Sequence, residues 1–305
     1  MATMLRRPTR ARREAIEGFL YISPWIAGFL IFTLGPMLAS LYYSLTDYNI
    51  LTEPHFTGLA NYVRIFTHDR LFRVALQRTF YYAIASVVLG VGGSLLLAVL
   101  LDQRLKGVSL LRTLYFLPSL TPIVASALLW SWIFQPQFGI LNYLLSKIGI
   151  QGPGWLADPT WAMPALIILA LWGGLGGGRM IIFIAGLQGI PIELYDAANI
   201  DGAGTWTRFR HITLPLLTPT IFFNLVVGII GSFSVFTVAY VATSGGPANA
   251  TYFYVFHIFN TAFKDLDMGY AAALAWIFFV LLMILTAAQF VMQRRWVFYE
   301  EGPRS

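Results

Sequence analysis

The sequence predicts an all-α integral membrane protein with six transmembrane helices. Three observations carry that expectation. The 305 residues are 57% hydrophobic and 11% charged, whereas roughly a quarter of the residues in soluble domains are charged. The apolar residues gather into six runs, each near the ~20 residues that a bilayer-spanning helix needs. All fourteen Asp and Glu fall outside those runs. There is no cysteine, so neither a disulfide framework nor a thiolate metal site is available.

Taken in order, the spans are expected at residues 19–45, 80–101, 111–134, 161–187, 216–243 and 270–293. They make one transmembrane domain, 19–293, between a basic tail, 1–18, and a short tail, 294–305. The first run holds Pro24 and Pro36, which membrane helices tolerate where neighbours and water satisfy the freed backbone groups. It is long for a straight span, so a tilt or a kink is expected. It is also too long for a cleaved signal peptide. The fourth run carries Gly173, Gly174, Gly176, Gly177 and Gly178, each weakening a helix by up to ~1 kcal/mol relative to Ala.

Orientation follows from Lys and Arg near the span ends. Thirteen lie on one side: Arg6, Arg7, Arg10, Arg12, Arg13, Arg104, Lys106, Arg112, Arg208, Arg210, Arg294, Arg295 and Arg304. Six lie on the other: Arg64, Arg70, Arg73, Arg78, Lys147 and Lys264. Both termini and the polar connection at 188–215 are therefore expected on the cytoplasmic side. Beside a membrane span, the arginine-rich tail reads as a topology signal and a lipid contact, not as a nucleic-acid site.

That polar connection is the most ordered stretch of the chain. Pro191 suits a helix start, where a missing N–H costs nothing, and Glu193 suits the positive end of the helix. Ile192, Tyr195 and Ala198 fall on one side, with Ala197-Ala198 leaving a smooth surface. Gly202 stands where a helix end calls for a left-handed residue. Thr205 is expected to cap a second short helix carrying Phe209 and Ile212, which Pro215 ends or kinks. The whole reads as a rigid helix-turn-helix built to press against a partner.

The spacing Asp196-Ala197-Ala198, Gly202, Ile212, Leu214-Pro215 resembles the signature loop of permease subunits of bacterial ABC importers. There the pattern begins Glu-Ala-Ala, so Asp196 is the one departure. Other segments resemble the carbohydrate-type members: Phe56-Thr57-Gly58-Leu59-Ala60-Asn61-Tyr62, Trp130, Ser244-Gly245-Gly246-Pro247, Ala262-Phe263 and Gly269-Tyr270-Ala271. The resemblance runs from about Pro24 to Arg295 and is to the permeases of the maltose, oligosaccharide and glycerol-3-phosphate importers. It implies the type I ABC importer permease fold in a bacterial inner membrane. It also implies a complex of two different permeases, a pair of ATPase subunits and an extracytoplasmic substrate-binding protein. The loop would be the coupling helix that docks on the ATPase. ATP and Mg would be bound there, and no cofactor by this chain.

The residues themselves give little sign of chemistry. In Trp172-Gly173-Gly174-Leu175-Gly176-Gly177-Gly178-Arg179 the glycine separation suits a phosphate loop, but Arg179-Met180 stand where Lys-Ser/Thr is needed. His55, His68, His211 and His257 are expected in loops or at span ends, and no Ser sits in a nucleophile elbow. The reading is a transport subunit, not an enzyme and not a metal protein. Proton- or sodium-coupled carriers usually place carboxylates within the bilayer, and this chain places none there. A stand-alone secondary carrier is thus a remote alternative.

The solute path is expected where spans become polar or lose regular helix. The fourth-span glycines fit either close helix packing or an opened backbone facing solute. Gly228, Gly231, Ser232, Ser234, Phe236 and Tyr240 on the fifth span suit a carbohydrate, whose C–H face stacks on rings. By the resemblance, pocket positions fall near Leu175, Gly178, Gly228, Ser232, Val235 and Phe236. Several pocket residues that are polar in the maltose permease are apolar here, so the sugar need not be maltose. Arg179 is the lone charge inside a span. Its long stem permits snorkelling to the cytoplasmic surface, but the absence of acids in the spans leads us to expect it at a cavity or permease–permease interface. It makes glycerol-3-phosphate, or another phosphorylated polyol, the second candidate solute.

Overall fold

The structure, a computed structural model, describes residues 10–103 and 106–298, without the side chains of residues 11–13. Arg6, Arg7, Arg104 and Arg304, which contribute to the expected orientation, lie outside the described residues, as do the side chains of Arg12 and Arg13. Two compact units emerge. One is built from the chain up to Thr67 with Thr261–Ile277, the other from His68–Asn260 with the chain from Phe278 onward. Among the described residues there is no β-strand, only an isolated antiparallel bridge between Thr46 and Phe56.

In the first unit, α1 (Arg10–Phe29) passes through a π-helical turn, Leu30–Leu34, into α2 (Gly35–Ser44). The expected irregularity of the first span is this turn. It lies between Pro24 and Pro36, each of which removes a backbone donor. The short α3 (Ala60–Thr67) follows. Buried Asn61 donates from Nδ2 to the carbonyls of Ser44 (3.0 Å) and Thr46 (2.7 Å). Ser44 Oγ and Tyr62 OH lie 2.8 Å apart. Gly269 donates its N–H to the Tyr48 carbonyl at 2.8 Å, and any Cβ at that position would overlap the carbonyl of Thr46. Arg64 pairs with Asp267 at 2.8 Å and lies 4.2 Å over the Tyr270 ring. The segments around Asn61 and Gly269, far apart in sequence, are thus two halves of one clasp.

The second unit begins with α4 (Arg70–Leu101). The helix begins ten residues before the apolar run at residue 80, because Asp69 caps it, its Oδ1 accepting the Phe72 N–H at 2.8 Å. At its far end Arg112 donates to the Leu101 carbonyl from Nε (3.0 Å) and Nη2 (2.6 Å). The helix α5 (Val108–Phe116) runs through a 3-10 turn, Leu117–Leu120, and then meets α6 (Ile123–Ile133) at 98°. The third span is therefore a broken one. Pro122 drives Thr121 into an extended conformation (φ −74°, ψ 128°), as the residue before a proline prefers.

The short α7 (Ile140–Lys147) leads to α8 (Ala162–Gly174) and α9 (Gly178–Gln188), which are bent by 50° across Leu175–Gly177. This break splits the fourth span at its glycines. The polar connection holds α10 (Ile192–Ile200) and α11 (Thr205–Arg208), then a π-helical turn, Phe209–Thr213, and α12 (Leu214–Leu216). Thr205 is the first residue of α11, not its cap; Gly204 takes that place and no side chain caps the helix. Pro215 does not end the helix either. The 61° bend comes at Leu217, before α13 (Thr218–Phe233). Pro219 has no N–H to give the Pro215 carbonyl, and the Thr218 hydroxyl donates to it instead at 2.6 Å.

The expected fifth span ends early, at Phe233. After a break at Ser234–Phe236 the chain forms α14 (Thr237–Ala242). The helix α15 (Tyr254–Phe263) and the long α16 (Met268–Gln293) are the last helices among the described residues. His257 lies within α15 and is buried, not in a loop. Three helices, Glu14–Ser44, Arg70–Leu101 and Met268–Gln293, are long and apolar enough to cross a membrane. The three bent pairs bring the spans up to six.

Within the second unit, Val87 and Val91 of α4 pack with Met180, Phe183 and Ile184 of α9. A second cluster joins Ala75 and Tyr82 to Leu166 and Leu169 of α8 and to Phe253 and Phe256. The Tyr254 N–H donates to Thr79 Oγ1 at 2.9 Å, which ties α15 to α4.

Candidate functional site

Two places in the second unit carry the residues singled out by the sequence. The first is the polar connection. Ala203 donates its N–H to the Ala198 carbonyl (2.9 Å) and Gly202 to that of Asn199 (3.1 Å), with Gly202 at φ +73°. These are the paired bonds of a Schellman helix end, so Gly202 is needed for its left-handed backbone. Tyr195 OH and Thr213 Oγ1 lie 2.9 Å apart, and Arg208 Nη1 donates to Asn199 Oδ1 at 2.5 Å. Trp206 stacks on Phe209 at 5.7 Å. The outward face is made by exposed Asp196, Ala197 and Gly202, with Ala198, Ile212, Leu214 and Pro215 half-buried beneath it. Ile200 and Trp206 are 87% and 69% exposed. Such apolar exposure on a polar loop marks a contact surface. The sequence reading passed over both residues, although each is a large apolar side chain in an otherwise polar segment.

The connection is anchored to the end of α4. Gln188 Nε2 donates to Asp102 Oδ1 at 3.2 Å, and Arg112 Nη2 lies 3.8 Å from the same oxygen.

The second place is a cavity of about 410 Å³ where the broken helices meet α4 and α13. Its size lies within the usual range for ligand pockets, about 300–1,000 Å³. Of the residues expected near a solute path, Arg179, Ser232, Val235 and Phe236 line it. Gly228 is beside it: a Cβ there would stand 3.3 Å from Arg179 Nη2. Leu175 turns away, packing on Gly93 of α4, while its carbonyl accepts from Ser94 Oγ at 2.8 Å. Gly178 opens α9 and faces free space. Tyr240 stacks on Phe236 at 5.4 Å and is 43% exposed.

The fourth-span glycines divide between the two roles considered for them. Gly173 and Gly174 line the cavity and have open space where a Cβ would be. A Cβ on Gly176 would overlap the Tyr115 backbone, and one on Gly177 would lie 2.9 Å from Ser119 Cβ. Those two let the α5 segment pass close by, and with the helix interrupted there, the floor of the cavity forms.

Further lining residues escaped the sequence reading: Tyr82, Ser86, Ser119, Thr121, Ser126 and Trp172. Ser86 Oγ donates to the Tyr82 carbonyl at 2.6 Å and lies 3.3 Å from Ser232 Oγ, which can donate to it. Trp172 meets Trp130 edge-on at 5.8 Å. Hydroxyls and rings around one space suit a polyhydroxylated solute, whose OH groups bond to the former and whose C–H face rests on the latter. Hydroxyls in spans at 86, 119, 121 and 126 were the available signal.

Comparison with known proteins bears on family and fold. Residues 90–297 match the profile of the binding-protein-dependent transport system inner membrane component. The chain belongs to that family. This permease is 42% identical over 303 residues to the probable ABC transporter permease protein YesP of Bacillus subtilis (strain 168), covering 98% of this chain and 97% of the relative. It is 35% identical over 301 residues to the lactose transport system permease protein LacF of Rhizobium radiobacter, covering 96% and 99%. Among solved structures, a bacterial ABC transporter involved in the import of the acidic polysaccharide alginate superposes with a TM-score of 0.83 at 25% identity. That match covers 94% of this permease and 99% of the other chain. The fold is that of type I ABC importer permeases, and the protein is a permease subunit of a sugar ABC importer. Such a permease works with an ATPase and a substrate-binding protein.

Proposed function

We propose that this permease moves a di- or oligosaccharide into a bacterial cell across the cytoplasmic membrane by alternating access. A second permease and a pair of ATPase subunits complete the transporter, and an extracytoplasmic binding protein delivers the solute. The cavity carries this reading: serine and threonine hydroxyls line one space with Phe236 and Trp172. In such a transporter the loop at 188–215 faces the cytoplasm with both termini, and Asp196, Ala197, Ala198 and Gly202 dock on the ATPase. Exposed Ile200 and Trp206 extend that apolar contact. ATP and Mg act on the partner, and this chain binds no cofactor of its own.

A second reading, a permease for glycerol-3-phosphate or another phosphorylated polyol, is favoured by one observation, the Arg179 cation in the cavity wall. Reconstitution tests the main reading. Proteoliposomes holding the chain with the second permease and the ATPase pair should take up saccharide only with internal ATP and saccharide-loaded binding protein. Uptake by the chain alone, driven by a proton or sodium gradient, would replace this reading with a secondary carrier.

A further inference from the structure

Arg179 is the lone charged residue in the middle of the spans, and its position is set by two glycines. A Cβ on Gly90 of α4 would overlap Nη1, and one on Gly228 of α13 would lie 3.3 Å from Nη2. Gly90 is twelve residues from Arg78 and twelve from Asp102, the nearest charges on either side along α4. At 1.5 Å per residue that is about 18 Å in each direction, so the guanidinium sits near the middle of a hydrocarbon layer about 30 Å thick. It has not snorkelled to a surface. Among the described residues it makes no hydrogen bond and no ion pair, and no carboxylate lines the cavity it borders. A cation at that depth is costly unless water or an anion meets it. A guanidinium can donate to the hydroxyls of a neutral sugar, but only an anionic group would also neutralise the charge at this depth.

We propose that Arg179 receives an anionic group, carboxylate or phosphate, carried by the transported saccharide. The proposal rests on the saccharide-permease reading above and deepens it by assigning a specificity-determining residue. The planar guanidinium offers two parallel N–H donors to either group, and a lysine ammonium does not reproduce that fork. Tyr82 and Ser86 line the same cavity.

The test uses the full transporter, with second permease, ATPase pair and binding protein, in proteoliposomes. Three probes are compared: digalacturonate, its carboxyl-reduced neutral counterpart and glycerol 3-phosphate. Wild type should import digalacturonate in preference to its neutral counterpart; import of glycerol 3-phosphate alone would overturn the saccharide reading and, with it, the assignment of the charge to a saccharide. Arg179→Gln should lower that anionic-to-neutral ratio at least tenfold, with Arg179→Lys restoring only part of it. Equal losses for charged and neutral probes in Arg179→Gln would overturn the assignment, as would an unchanged ratio. Dissociation of the Arg179→Gln complex into single permeases would overturn it too, pointing to a carboxylate of the second permease as the partner. Wild-type import of the neutral probe alone would sink this inference and leave the saccharide reading standing. ATP-dependent import of none of the three would overturn both.

Discussion

Arg179 and Gly228 meet at the edge of the cavity, with Nη2 standing 3.3 Å from the point that a Cβ on Gly228 would occupy. Val87 closes the other side of that gap, 3.6 Å from the same point. Neither Gly228 nor Gly90 has a positive φ, so what they supply is space and not backbone freedom. Two helices each forgo a side chain at the height where the guanidinium emerges.

A side chain at Gly90 should therefore displace the guanidinium. Gly90→Val inserts two methyls where Nη1 lies, and overpacking of this kind costs about 1–3 kcal/mol. Gly92, two residues on, meets nothing within 4 Å, so Gly92→Val is the matched control for helix propensity. ATP-driven uptake should fall at least tenfold in Gly90→Val and stay within about twofold of wild type in Gly92→Val. Equal uptake by the two variants would show that the seat of Arg179 is irrelevant to transport.

Much of this was legible in the sequence, for reasons that differ by element. The apolar runs located the spans because lipid leaves few alternatives to a helix. Gly202 was legible because only a left-handed turn explains a glycine at that distance from Ala198. The break of the third span and the bend before α13 were not, since hydropathy is blind to Thr121 being held extended by Pro122 and to Thr218 standing in for the donor that Pro219 lacks. Leu175 illustrates a second limit. Its carbonyl is held by Ser94 and its side chain packs on Gly93, so alignment placed the residue near the cavity but not the direction in which it points.

The clasp of the first unit predicts a large effect from a small residue. Asn61 is 8% exposed and gives both amide protons to carbonyls that end α2. Asn61→Leu keeps the bulk and leaves the Ser44 and Thr46 carbonyls without that donor, at about 1–3 kcal/mol for each group left buried and unpaired. The purified complex should unfold at a lower temperature, with the loss confined to protease protection of this unit. Unchanged protection would mean that Gly269 and Arg64 hold the clasp without it.

Asp69 does two jobs at the start of α4. Its Oδ1 caps the helix at Phe72, and its Oδ2 lies 2.9 Å from His257 Nε2, whose Nδ1 is 3.1 Å from Tyr252 OH. Both side chains of the pair are largely buried, at 12% and 6% exposed. Asp69→Ala loses the cap, about 1 kcal/mol, and strips His257 of its partner, about 1–3 kcal/mol more. Asp69→Asn keeps the cap oxygen and turns an NH2 toward His257 Nε2, which accepts it in the other imidazole tautomer, so it should cost about 1 kcal/mol. Thermal unfolding of the two variants in detergent checks the order. Asn behaving as badly as Ala would show that charge, not hydrogen-bond geometry, holds the corner together.

The last prediction concerns the loop that ends α10. At φ +73°, Gly202 occupies a region that costs a β-branched residue about 1–2 kcal/mol but that Asn visits with less strain. The Schellman bonds from Gly202 and Ala203 fix the angle at which Asp196, Ala197 and exposed Ile200 are presented. Gly202→Val should thus leave insertion and the distant cavity intact while turning that face away from its partner. Substrate-stimulated ATPase activity and uptake should fall together, by tenfold or more, whereas Gly202→Asn retains most of both. Saccharide-binding affinity of the assembled transporter should not change in either variant. If Gly202→Val transports normally, the loop tolerates a re-aimed helix, and rigid docking through α10 is the wrong account of how this permease feels its ATPase.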